Sequence, residues 1–274
     1  MKSLKQILVQ AISSDIGYEL AVHWKDQGHQ VRGTYRKMNK QLLGLVNSGL
    51  EVVQCDLTER TSIDAAAQWS ADLPNWDVLV LAAGTQDPVG LFTDTDIDEW
   101  EASVYQNFIG QVRFLSRVLP SRNLSQDHPP VVLMFAGGGT NSATTNYSAY
   151  TISKIACIKM CELLDAEVPD TIFTIVGPGW VDTKIHEATL RSAESAGRNY
   201  SKTLEMLDNN LCNPMTSVIE CCEWIIHAPK EIIGGRNFST VHDPWNSDRI
   251  REVENDLNNF KLRRFGNDMF SEGM

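Results

Sequence analysis

The stretch YSAYTISKIA, residues 147–156, sets a phenol and an amine four positions apart, at Tyr150 and Lys154. On a helix, positions i and i+4 share one face and lie one turn apart. An ammonium beside a phenol stabilises the phenolate, so Lys154 is expected to lower the pKa of Tyr150. A tyrosine tuned toward neutral pH can hand a proton to a substrate oxygen or take one from it. Taken alone, such a pair is far more often an exposed tyrosine and a solvated lysine on an ordinary helix. Its chemistry depends on what the rest of the chain builds around it.

The elements that must position the pair are legible as alternating patterns. Apolar runs at 6–10, 30–35, 51–55, 77–83, 131–136, 171–176 and 236–241 read as strands. Several are nearly continuous in Val, Ile and Leu, as in strands covered on both faces. Helical patterns occupy 17–27, 61–72, 96–119, 148–167 and 213–228. The third opens near Asp96 and stops at Pro120. The last has Asn213 as its expected cap and Pro214 at its first position. This alternation implies an α/β fold: a doubly wound, Rossmann-like parallel sheet of about seven strands with helices on both faces. No repeat, low-complexity run or Pro/Gly linker divides the chain. One dinucleotide-binding domain, 1–274, is expected, with a helical flap around 183–212 and a C-terminal extension at 242–274.

The totals narrow the partners. The chain has 274 residues, a formal net charge of −11 and a pI of about 5.0. An acidic surface argues against nucleic acid or an anionic membrane as the main partner. It still allows an anionic small molecule in a local basic pocket. The six cysteines form no C-x-x-C pair, and reduced thiols are the default. Cys157 and Cys161 share a helix face and read as a buried or interface stripe. The histidines lack ligand spacing, so no metal is expected. The start MKSLKQILVQ reads as a strand start, and no run approaches a membrane span. A soluble, cytoplasmic protein is expected.

In a doubly wound sheet, ligands bind beyond the carboxyl ends of the strands. The first such turn is QAISSDIGYELA, residues 10–21. A phosphate-binding turn needs small residues, so that backbone N–H groups at a helix N-terminus can approach the phosphates. Only Gly17 is a glycine here. Ala11 and Asp15 hold the other two glycine positions, and an ordinary helix capped by Ser13, Ser14 or Asp15 fits as well. The second strand ends in Tyr35, Arg36 and Lys37. Cations at that tip suit a ribose 2′-phosphate, and so NADP, where a carboxylate would suit NAD.

Taken in order, these pieces resemble the short-chain dehydrogenase/reductase family over roughly residues 5–240. SSDIG (13–17) is similar to the end of the family's glycine turn, with Ser13, Ser14, Ile16 and Gly17. CDLT (55–58) resembles the Asp-Leu pair that meets adenine, Asp56 and Leu57. LAAG (81–84), with Ala82, Ala83 and Gly84, resembles the Asn-Asn-Ala-Gly of the fourth strand. Asn107 matches the asparagine of the family's proton relay, and Tyr150 and Lys154 match its Y-x-x-x-K. GPGWVDTKI (177–185) resembles the segment that meets the nicotinamide, with Pro178, Gly179, Val181 and Thr183.

The resemblance implies hydride transfer with NADP preferred over NAD. Tyr150 would serve as acid or base, Lys154 would hold the nicotinamide ribose, and Asn107 a relay water. It also implies a homodimer or homotetramer. Three departures stand out. Gln10 and Ala11 replace the usual Thr-Gly, and Leu81 and Ala82 replace the two asparagines, so cofactor affinity could be weak. Position 137 is glycine where the family carries a substrate-binding serine. Ser142 or Thr140 is expected to substitute, from a loop made flexible by Gly137, Gly138 and Gly139.

The expected activity is an NADPH-preferring oxidoreductase that reduces a carbonyl or oxidises a secondary alcohol. The loop GGGTNSATTNYSAY (137–150) and the tail GGRNFSTVHDPW (234–245) together resemble relatives of surface-sugar pathways. A sugar or sugar nucleotide is therefore a candidate substrate, with Trp180, Trp245 and His242 as candidate pocket residues. A non-catalytic nucleotide-binding or scaffold relative and an NAD-retaining epimerase or dehydratase remain as alternatives.

Overall fold

A computed structural model describes residues 4–125 and 128–265. Seven parallel strands form one sheet: β1 (Gln6–Gln10), β2 (Gln30–Tyr35), β3 (Glu51–Gln54), β4 (Val78–Leu81), β5 (Val131–Phe135), β6 (Ile172–Gly177) and β7 (Asn237–Ser239). Their order is β3-β2-β1-β4-β5-β6-β7. The pleat divides each buried strand between two cores. Ile7, Val9, Val78, Val80, Val131 and Leu133 pack on one face with Trp24, Cys221 and Ile225. Leu8, Leu79, Leu81, Val132 and Met134 pack on the other with Phe114, Cys161 and Phe173. Burial on both faces explains why these strands read as unbroken apolar runs.

The helices follow from local chemistry. Helix α1 (Asp15–Asp26) is capped by Ser14, whose hydroxyl accepts the Gly17 N–H. Helix α2 (Lys40–Asn47) was not expected from the pattern. It is short, and Asn39 caps it by accepting the Leu42 N–H at 2.8 Å. Helix α3 (Arg60–Ala71) follows β3. The expected helix at 96–119 is one rod in three parts: α4 (Ile97–Val104), a widened turn (Tyr105–Ile109) and α5 (Gly110–Val118). Asp96 caps it, accepting the Asp98 and Glu99 N–H groups. Helix α6 (Ser148–Glu167) carries the Tyr/Lys pair.

After β6 come three short helices, α7 (Glu187–Arg191), α8 (Ala193–Ala196) and α9 (Arg198–Asp208), within the expected flap. Helix α10 (Met215–Ile225) starts later than expected. Pro214 is its cap, and the Asn213 amide instead donates to the Pro178 carbonyl and Thr240 Oγ1, at 2.8 and 2.9 Å. A single turn, α11 (Lys230–Ile233), precedes β7. The extension continues in tight turns at Asp248–Asn255, and its residues 266–274 lie outside the described chain. No described helix is long and apolar enough to cross a membrane.

Candidate active site

The strand order reverses between β1 and β4, where a doubly wound sheet opens a crevice at the carboxyl ends. A cleft of about 950 Å³ opens there and extends to β7 and the C-terminal segment, walled by the turn after β1, the ends of β2 to β7, the segment following β6, and residues 260–263. Ser13, Ser14, Ile16, Arg36, Asp56, Leu57, Ala82, Ala83, Gly84, Thr140, Tyr150, Lys154, Pro178, Gly179, Val181 and Thr183 all line it. The expected residues Lys37 and Ser142 do not. Both are exposed. Gly17 and Asn107 stand behind the wall.

The turn after β1 is tight and passes through a left-handed residue at Ala11. Ala11 adopts φ of 61°, the left-handed region that glycine enters freely and alanine at a cost of about 1 kcal/mol. Its N–H is held by Thr34 Oγ1 at 3.3 Å, and its carbonyl accepts the Ser14 N–H at 2.9 Å. A Cβ at position 17 would lie 2.6 Å from the Ala11 carbonyl oxygen and 2.8 Å from Ser14 Oγ, so only glycine fits. The residues present thus fit a dinucleotide's phosphates in backbone shape.

At the β2 tip, the Arg36 guanidinium has no carboxylate partner among the described residues. Its one side-chain contact is Gln106 Oε1 at 3.5 Å. Asp56 Oδ1 accepts the Thr58 N–H and hydroxyl, at 2.9 and 2.7 Å.

At the other end of the cleft, Tyr150 and Lys154 project from one face of α6 toward the end of β5. The Lys154 ammonium donates to the Phe135 carbonyl at 3.0 Å and reaches the Ala83 carbonyl at 3.4 Å. It lies 5.8 Å from the centre of the Tyr150 ring. The surroundings of Tyr150 oppose the expected acidification. Burial pushes the phenol up to about 12, the Cys157 thiol adds to the rise, and burial lowers Lys154. Desolvation disfavours both charged forms, and the ammonium is directed at carbonyls instead of the phenol oxygen.

Glycine at 137 has a steric reason. A Cβ there would fall 2.6 Å from the Tyr150 hydroxyl and 2.8 Å from Lys154 Cγ. The phenol occupies the space of the missing side chain. Thr140 and Thr144 are the loop hydroxyls that line the cleft.

Asn107 sits in the widened turn of the α4–α5 rod, a local distortion that often marks functional sites. Its side chain is committed to Thr85, accepting that N–H at 2.8 Å and donating to that carbonyl at 2.9 Å. Its own carbonyl accepts Gln111 Nε2 at 2.6 Å and the Cys157 thiol at 3.7 Å. Asn107 therefore pins the loop after β4 beneath the Tyr/Lys pair.

Several cleft residues carried no motif. Tyr147 hydroxyl and Thr189 Oγ1 are 2.7 Å apart, and Thr189 reaches Gln86 at 3.1 Å, which ties the start of α6 to the flap. Asp15 meets Lys184 across the turns after β1 and β6. Of the three aromatic candidates, Trp180 and His242 line the cleft. Trp180 stacks on His186 at 4.8 Å between ring centres. Trp245 is a core residue, 8% exposed, donating to the Thr240 carbonyl.

Known proteins share this framework. A sequence model of the family described as short chain dehydrogenase matches residues 5–194. An uncharacterised oxidoreductase of Staphylococcus epidermidis is 26% identical over 190 residues, 68% of this chain and 81% of that protein. Among solved structures, a short-chain dehydrogenase/reductase of Saccharomyces cerevisiae superposes with a TM-score of 0.76 at 21% identity, over 94% of this chain and 100% of that one. A Shigella flexneri short-chain dehydrogenase, described as complexed with NADP, gives 0.71 at 18% identity, over 86% and 97%. At such identities the two structures speak for the fold, and the family match covers β1 to β6 and the helices between them. The chain is thus an oxidoreductase of the short-chain dehydrogenase family.

Proposed function

We propose that the protein is an NADPH-preferring oxidoreductase that reduces a carbonyl, or oxidises the matching secondary alcohol, of a small molecule. The observation that carries this reading is the placement of Tyr150 and Lys154 in the wall of a cleft whose far end presents an unpaired Arg36. When bound, the nicotinamide supplies or accepts the hydride. Tyr150, kept as a phenol by burial, donates its proton to the substrate oxygen as that oxygen gains charge. Lys154, fixed by two carbonyls, is positioned to stabilise the phenolate left behind. Asp56 and Leu57 would receive the adenine, Arg36 the 2′-phosphate, and Pro178, Gly179, Val181 and Thr183 the nicotinamide end. The NADP complex of the Shigella relative supports this choice of cofactor.

Trp180 and His242 in the cleft wall support a ring-shaped substrate such as a sugar or sugar nucleotide, since aromatic faces pack on sugar rings. Half-exposed Ile109, Ile152 and Leu163 on the α4–α5 rod and on α6 support a homo-oligomer built on those helices.

The test is a fluorescence titration with NADPH and with NADH. NADPH should bind at least about tenfold more tightly than NADH, and Arg36→Ala should remove most of that preference, as loss of a charge-assisted phosphate contact implies. Equal affinities in wild type would overturn the NADP assignment. No binding of either would favour a non-catalytic relative, the reading that Gly137 and Asp15 suggest.

A further inference from the structure

The N-terminus of α1 carries an acid where a phosphate would approach. Asp15 is the first residue of that helix and lines the cleft beside Ser14 and Ile16. The helix dipole favours a negative charge there, so the carboxylate and a pyrophosphate compete for one position. Their like charges also repel.

Asp15 has a partner from the far side of the sequence. Its Oδ2 accepts the backbone N–H of Lys184 at 2.6 Å, and its Oδ1 lies 3.3 Å from Lys184 Nζ. Lys184 also lines the cleft and follows the segment expected to hold the nicotinamide. Asp15 is largely covered, with 23% of its side chain exposed, whereas the Lys184 side chain is 59% exposed. The ammonium is therefore solvent-screened and easily exchanged to another anion.

Resting on the dinucleotide reading above, we propose that Asp15 and Lys184 form a latch across the pyrophosphate site. In the cofactor-free protein Asp15 takes the place of the phosphate at the helix end and holds Lys184. When the dinucleotide enters, the Lys184 ammonium transfers from the Asp15 carboxylate to the pyrophosphate. Asp15 then acts against cofactor binding and Lys184 acts for it. A tether that merely orders the loop behaves differently: removing either partner frees the same segment, so both changes shift affinity in the same direction.

The experiment measures NADPH affinity by fluorescence for wild type, Asp15→Asn, Lys184→Ala and the double variant, with amide exchange around Lys184 read without cofactor. Asp15→Asn keeps the size and a capping oxygen, and Lys184 is exposed, so the fold should hold. Asp15→Asn should tighten NADPH by about fivefold or more, and Lys184→Ala should weaken it by a similar factor, each the scale of one charge at a helix terminus. Exchange around Lys184 should rise in both. The double variant should bind more tightly than Lys184→Ala alone.

Affinity changes of the same sign, or no gain in Asp15→Asn despite faster exchange, would reduce the pair to a tether and overturn the latch, while the Arg36→Ala result would still stand. Binding seen only in Asp15→Asn would uphold the latch. Absence of NADPH binding in every variant would remove both the latch and the dinucleotide reading.

Discussion

Tyr150 and Lys154 share one face of α6 in surroundings that favour their neutral forms. Burial raises the phenol to about 12 and lowers the lysine. A phenol with so high a value is protonated throughout the neutral range, so it is ready to act as an acid and poorly populated as a base. Carbonyl reduction should therefore be nearly flat in pH around neutrality, falling only as pH rises toward the titration of Tyr150. Alcohol oxidation, which needs the phenolate, should climb by up to about tenfold per pH unit over the same range. Steady-state rates in both directions on an identified substrate check this. A reduction rate that already falls near pH 7 would place an acidified tyrosine back in the site. Tyr150→Phe should lower turnover by about 10²–10⁴-fold while leaving NADPH binding in place. The spacing of Tyr150 and Lys154 was legible in the sequence because it is local. Their ionisation was not, because it depends on Phe135, Ala83 and Cys157, which the fold brings to the pair.

At the scale of elements, the C-terminal segment is fastened to the outer side of α6. Arg263 donates to both oxygens of Glu162, at 3.0 and 2.6 Å, and Lys159 adds a contact at 2.7 Å. The Arg263 hydrogen bonds, first among the causes, lower the Glu162 carboxyl from 4.5 to about 2. A depressed carboxyl stabilises the folded arrangement above its unfolded value and loses that contribution as pH falls through the folded one. Protection of amides in the segment near Arg263 should thus hold above about pH 4.5 and decline toward pH 2. Arg263→Ala should destabilise the protein by about 1 kcal/mol, the upper end for a pair open to solvent, and loosen the segment at neutral pH. Unchanged protection in that variant would show that Leu262 and Phe260, which pack against the two cores, hold the segment without the ion pair.

The strands were legible because both-face burial leaves unbroken runs of Val, Ile and Leu. Helix α2 was missed because it has eight residues and a single fully buried side chain, Leu42. The cap of α10 was misplaced because Asn213 is drawn away to Pro178 and Thr240, partners distant in sequence.

Over the whole molecule, the order of the sheet decides what the cleft can hold. Placing β1 beside β4 brings the turn at Ala11, the Arg36 tip and the Tyr150 face of α6 around one opening. The sequence departs from the family's glycine pattern at Ala11, yet the backbone there keeps the left-handed turn, with Thr34 holding it. The residue types of that turn were legible, and its left-handed backbone at Ala11 was not. Of the two hydroxyls expected near Gly137, Thr140 lines the cleft and Ser142 does not, a difference set by the course of the loop that residue types alone do not show.

The most direct measurement is a crystal structure of the protein soaked or co-crystallised with saturating NADP. The dinucleotide should lie along the cleft with its 2′-phosphate at Arg36 and its nicotinamide between Thr183 and the Tyr150 hydroxyl. A cleft that stays empty under saturation, or a dinucleotide whose nicotinamide lies away from Tyr150, would contradict the account.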